Sequence, residues 1–200
     1  MPKNRDGGAR PGPGGLAAFA ELERVALACT ACPLAATRTQ VVFGTGDTDA
    51  ALMFIGEAPG KHEDLQGVPF VGAAGNLLTR LIEEIGLTRE AVYIANVLKC
   101  RPPGNRDPEP HEIASCRPFL EQQIELIDPD VIVSLGNFAT RLLLDTKEGI
   151  SRLRGQEHKL GTRLLIPTYH PAAVLRGRGE ALAQMRADFI VAKRALARVA

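Results

Sequence analysis

Apolar positions along this chain keep two rhythms. Leu16, Phe19, Leu22, Val25 and Cys29 recur every three or four residues and predict a first helix, ended by Cys32-Pro33. Leu52-Met53-Phe54-Ile55 is instead a continuous apolar run, as in a buried strand, and stops at Gly56. Leu77, Leu78, Leu81, Ile82 and Ile85 return to the helical spacing from about Ala73, with Gly86 as the closing residue. Strand signals follow at Val92–Val97, Val131–Leu135 and Arg163–Pro167, the last fed by a small hairpin within residues 150–168. Helices are predicted over about Glu109–Ile127, Asn137–Leu144 and Glu180–Val199, the last presenting Leu182, Met185, Phe189, Leu196 and Val199 on one face. Residues 33–50 read as loop with a short strand at Gln40–Phe43, and 61–72 and 99–108 as long loops. Strands alternating with helices predict an α/β fold with a mostly parallel sheet of about four strands. One domain over 16–200 is expected, behind a disordered tail at 1–15 that holds five Gly and three Pro.

Composition narrows the picture. At 200 residues and 45% hydrophobic content the chain can bury an ordinary core. No apolar run approaches the ~20 residues of a membrane span, and the N-terminus lacks a signal-peptide core, so a cytoplasmic protein away from membranes is expected. The net charge of +1 is unevenly spread: residues 151–200 carry ten Lys/Arg against three Asp/Glu. A basic final quarter suggests a polyanion partner, or a solvated helix face. There is no Gly-x-Gly-x-x-Gly at a strand–helix junction and no phosphate-binding P-loop, which argues against a dinucleotide or nucleoside-triphosphate enzyme.

Four cysteines, Cys29, Cys32, Cys100 and Cys116, stand as Cys-x2-Cys and, 67 residues on, Cys-x15-Cys. In a cytosolic chain such a set points to metal before disulfides. Four thiolates suit tetrahedral zinc or an iron–sulfur cluster, and spacing does not separate the two. Four protein ligands leave no open position, so the centre reads as structural.

Ligands of open α/β sheets bind beyond the carboxyl ends of strands. Those ends carry Glu57, within Gly56-Glu57-Ala58-Pro59-Gly60, then Asn96, and His170 after the last strand; the 67–72 loop adds Phe70. Each residue alone has a plain structural reading: a surface carboxylate, a strand cap, a buried histidine, a core ring. Together they fit a pyrimidine pocket. The ring offers a stacking face, and an amide offers a donor and an acceptor side by side. Uracil O4 and N3–H match that pair, whereas cytosine presents it reversed.

Four stretches then carry a resemblance: Gly56–Gly60, Gly67-Val68-Pro69-Phe70-Val71-Gly72-Ala73-Ala74-Gly75, Asn96–Pro108 and His170-Pro171-Ala172-Ala173-Val174-Leu175-Arg176. In this order, and with the four cysteines, they resemble a family 4 uracil-DNA glycosylase over about residues 19–198. The resemblance implies a three-layer α/β/α sandwich around a four-stranded parallel sheet. It implies a [4Fe-4S] cluster on Cys29, Cys32, Cys100 and Cys116, and uracil-containing DNA as substrate for an expected monomer. It implies a uracil site of Glu57, Ala58, Pro59, Phe70, Asn96 and His170, with the deoxyuridine flipped out of the helix. His170 would stabilise charge on uracil O2. Where related families hold the attacking water with Asp, this chain has Ala58, which leaves Glu57, then Asn105, to position it. DNA contacts are expected from bare amides at Gly72, from Val174 or Leu175 as an apolar wedge, and from Arg176 and Arg178. A covalent DNA-trapping branch differs by a Gln at the Ala58 position and a basic insertion with a nucleophilic His; His111 here is expected to be a surface residue. No lysine is placed as an obvious Schiff-base nucleophile, so the expected activity is monofunctional. The alternatives are a glycosylase for other deaminated bases and a non-catalytic iron–sulfur protein that binds nucleic acid or transfers electrons.

Overall fold

The computed structural model describes residues 13–177 and 179–199. Most of the expected tail, and Arg178, lie outside the described residues; Pro13–Gly15, assigned above to that tail, form the start of the first helix.

The helices are α1 (Pro13–Leu27), α2 (Lys61–Gln66), α3 (Ala73–Glu84), α4 (Pro110–Ile127), α5 (Asn137–Leu144), α6 (Ile150–Leu153), α7 (Pro171–Arg176) and α8 (Glu180–Val199). The strands are β1 (Thr45–Gly46), β2 (Leu52–Gly56), β3 (Tyr93–Asn96), β4 (Val131–Leu135), β5 (His158–Leu160) and β6 (Arg163–Thr168), in spatial order β1-β3-β2-β4-β6-β5. The inner four are mutually parallel, as expected. Among the described residues the expected total of four is corrected to six, because β1 and β5 add short antiparallel edges. Edges of two and three residues leave little unpaired backbone to recruit another chain.

Every residue of β2 and β4 is buried because each strand is covered on both faces. Side chains alternate across the sheet. Met53, Ile55 and Ile132 meet Phe19 and Leu22 of α1 and Leu120 and Ile124 of α4. Leu52, Phe54, Val131 and Val133 meet Leu78 and Ile82 of α3 and Phe189 of α8, and Phe54 stacks on Phe189 with ring centroids 5.4 Å apart. Burying one such side chain contributes about 1.5–3 kcal/mol. These two cores make the three layers.

Two local expectations are corrected. Gln40–Phe43 forms no strand: Val42 N–H bonds to the Lys99 carbonyl, and ladder pairing begins only at Thr45. The 61–72 loop contains α2, bracketed by Gly60 and by Gly67 at φ +71. Its six residues carry too little apolar periodicity to announce a helix. α7, in a stretch that carried no expectation of its own, is opened by Pro171 at a position that needs no N–H donor.

Four of the ten Lys/Arg of the basic final quarter make internal ion pairs. Arg154 holds Asp188, Arg163 holds Asp128, Arg186 holds Glu84 and Arg198 holds Glu157. No helix among the described residues is long and apolar enough to cross a membrane.

Candidate active site

Because β2, β3 and β6 run parallel, their carboxyl ends share one edge of the sheet, where a cleft of about 700 Å³ opens. The structure brings Glu57, Ala58, Pro59, Phe70, Gly72, Asn96, Asn105, His170 and Arg176 together on its walls. Gly56 makes the convergence possible: a Cβ there would overlap Asn96 Oδ1 and stand 2.5 Å from Phe70 Cζ.

Asn96 ends β3 and is 2% exposed. Its Oδ1 has no hydrogen-bond partner among the described residues. An unpaired buried acceptor costs about 1–3 kcal/mol, so a ligand N–H that reaches it recovers that energy. The Asn96 carbonyl is held by Lys99 Nζ at 2.8 Å, and the same ammonium donates to Gln123 Oε1 at 2.5 Å. Lys99 is fully enclosed, and burial pushes its pKa down to about 8.

Phe70 has φ +54, a left-handed backbone that is costly for an aromatic residue, about 1–3 kcal/mol. Its ring centre lies 5.7 Å from the His170 ring, tilted by 32°. His170 caps α7: its Nδ1 accepts from the Ala172 amide at 3.1 Å. The neutral ring therefore carries its proton on Nε2. Burial, helped by Arg176 and opposed by Glu63, pushes its pKa down to about 4. Behind it, Thr168 Oγ1 donates to Asp188 Oδ2 at 2.6 Å, tying the end of β6 to α8.

Burial raises the Glu57 carboxyl above the usual carboxylate range, and the negative charge of Asp107 adds to that. Asp107 also lines the cleft and was not foreseen; it sits in an irregular loop whose outline Arg106 sets by gripping buried Glu112 at 2.6 and 2.9 Å. Asn105 lies on the same wall, but its Oδ1 already accepts from Arg101 Nε at 2.6 Å. Lys61 lines the cleft from an exposed position on α2, an unforeseen lysine. His111 is exposed on the first turn of α4, as expected.

Two expected DNA contacts are corrected. The Gly72 amide is not bare, since it donates to Glu63 Oε1 at 3.2 Å. Val174 is 6% exposed and packs in the α3–α8 core, whereas Leu175 is 48% exposed. A wedge must leave the protein surface, so Val174 is unsuited to it.

All four cysteines line one small cavity on the far side of Lys99, walled by Ala26, Leu34, Leu98 and Phe119. Three N–H groups point at sulfur: Ala31 on Cys29, Arg38 on Cys100 and Lys99 on Cys116, at 3.5, 3.4 and 3.2 Å. Such donors suit anionic thiolates. A single zinc with Zn–S of about 2.3 Å would gather its sulfurs to roughly 3.8 Å. No three of these ligand atoms lie within 4.8 Å of one another. The donor set is soft and suits a thiolate-bound metal centre. Burial pushes the Cys116 thiol up to about 11, and raises that of Cys100.

The fold and cleft define an α/β protein with a polar and aromatic cleft at the strand ends. The model of the uracil DNA glycosylase superfamily matches residues 43–194. A type-4 uracil-DNA glycosylase of Thermotoga maritima is 53% identical over 156 residues, covering 77% of this chain and 81% of the relative. That of Archaeoglobus fulgidus is 48% identical over 163 residues, covering 78% and 82%. A type-5 uracil-DNA glycosylase of Thermus thermophilus is 31% identical over 180 residues, covering 72% and 82%. The chain belongs to the uracil DNA glycosylase superfamily and to its type-4 family.

Proposed function

We infer that the protein is a monofunctional uracil-DNA glycosylase that initiates base-excision repair. The observation that carries this reading is the unpaired Asn96 Oδ1 in a cleft shared with the Phe70 ring and His170. Flipped uracil stacks on Phe70, gives N3–H to Asn96 Oδ1 and receives the Asn96 amide on O4. Cytosine N3 has no proton to give, so it leaves the acceptor unpaired. A protein that only moved electrons would have no use for such an acceptor.

The C1′–N1 bond breaks with its electron pair leaving on uracil, and negative charge grows on O2. A neutral His170 donates its Nε2 proton in a hydrogen bond to that oxygen, which stabilises the departing anion more than the intact substrate. Its low pKa keeps it neutral at physiological pH. The Glu57 carboxylate faces the positive sugar and aligns the water that adds to C1′, accepting its proton. The raised Glu57 pKa suits a proton acceptor, and the engagement of Asn105 with Arg101 ranks that residue behind it. Leu175 fills the gap left in the stack, with Arg176 on the backbone phosphates.

Cys29, Cys32, Cys100 and Cys116 would hold a [4Fe-4S] cluster whose role is to pin α1 to the segments that flank the cleft. The enzyme acts as a monomer. The experiment is uracil release from a deoxyuridine oligonucleotide, followed by alkali, with wild type beside His170→Ala. Release that collapses in the variant upholds the reading; a folded, cluster-loaded wild type that releases no uracil overturns it.

A further inference from the structure

We propose that Glu63 and Arg89 are positioning residues that lock the Phe70 ring in place for base stacking, a role that rests on the reading of the cleft as a uracil pocket. The backbone of a residue is set by the two peptide planes on either side of it. Both planes around Phe70 are held from outside its loop. On one side, the Pro69 carbonyl accepts from Arg89 Nη2, while Arg89 Nη1 reaches Thr79 Oγ1 at 3.2 Å. On the other, Glu63 Oε1 accepts from the Val71 and Gly72 amides at 3.0 and 3.2 Å.

The clamp explains how a phenylalanine holds φ +54. Such backbone persists only where the surroundings over-determine it. Two glycines make room: a Cβ on Gly75 would overlap the Phe70 carbonyl, and one on Gly60 would stand 2.7 Å from Glu63 Oε2. Glu63 sits on α2 and Arg89 in the helical turn Arg89–Ala91, so two separate elements converge on one residue. Without the clamp the loop relaxes toward ordinary backbone angles, and the ring swings away from the base plane. Glu63 also lies on the cleft wall, whereas Arg89 does not line it, so Arg89 reports the clamp alone.

The test is a double-mutant cycle with Phe70→Ala, read as kcat and KM for uracil release from DNA. Glu63→Ala and Arg89→Met should each lower kcat/KM by about 10- to 100-fold in the wild-type background. In the Phe70→Ala background each should cost less than about threefold, because there is no ring left to position. Glu63→Gln keeps an acceptor for both amides and should stay within about threefold of wild type, and the affinity for DNA holding an abasic site should be unchanged. Equal losses in both backgrounds, or full activity in Glu63→Ala and Arg89→Met, would overturn the clamp. A wild type that releases no uracil would instead defeat the functional reading beneath it. Circular dichroism melts of each variant separate loss of the clamp from loss of the fold.

Discussion

His170 and Ala172 are joined by a hydrogen bond that fixes both a helix start and a tautomer, with Nδ1 accepting from the Ala172 amide at 3.1 Å. The bond exists only while Nδ1 is unprotonated, so the cap and the Nε2–H proposed to face uracil share one titration. The folded pKa is about 4 against 6.5 for the free side chain. Between those values the unfolded chain binds a proton that the folded chain refuses. Stability should therefore fall as pH drops from 6.5 to 4, by at most about 3 kcal/mol from this group. Urea midpoints measured across that window should show a shallower acid decline in His170→Asn than in wild type.

Asn96 and Gly56 should be separable by kinetics. On the proposed reading Asn96→Ala removes two hydrogen bonds to uracil, worth about 2–3 kcal/mol together, and should lower kcat/KM by roughly 100-fold. Gly56→Ala inserts a methyl between Asn96 Oδ1 and the Phe70 ring. It should raise KM sharply and cost about 1–3 kcal/mol of stability from overpacking. Steady-state kinetics on a short deoxyuridine oligonucleotide, beside thermal melts, would check both; wild-type KM in Gly56→Ala would remove Gly56 from the pocket floor.

Adjacent apolar residues on α7 should behave oppositely. Val174 is in the core, so Val174→Ala should cost about 1–3 kcal/mol in stability with excision otherwise preserved. Leu175→Ala should leave stability within about 0.5 kcal/mol. It should slow excision from duplex DNA more than from single strands, where no stack needs filling. Equal slowing on both substrates would exclude a wedge.

Loss of the cysteine-bound centre should unpin α1. Cys100→Ala, or chelation, should abolish the visible charge-transfer absorbance and lower the melting temperature, because Cys29 and Cys32 lie beyond α1 while Cys116 lies within α4. Proteolysis between α1 and residue 38 should become faster. A colourless variant with unchanged melting would contradict the pinning role.

Lys61 calls for its own check, since a lysine on the cleft wall raises the question of strand cleavage through a Schiff base. Borohydride added during turnover should trap no covalent protein–DNA adduct. The product should stay uncut until alkali is added.

Much of this protein was legible in its residues. The apolar runs at 52–55 and 131–133 announced buried parallel strands, since strands covered on both faces need no polar alternation. The polar residues at the strand ends announced the cleft, because parallel strands bring their carboxyl ends to one edge. Short polar helices such as α2 stayed hidden, their six residues offering no periodicity. What only tertiary structure decided are choices between equivalent letters. Val174 and Leu175 differ in exposure only because one faces α3 and α8. Gly72 reads locally as a free anion site, yet in the fold Glu63 occupies its amide. The left-handed backbone of Phe70 is written in no local preference, since phenylalanine avoids it; contacts from residues 63 and 89 impose it. Local sequence fixes what short-range sterics and burial dictate, whereas a strained conformation depends on distant groups that meet only once the chain has folded.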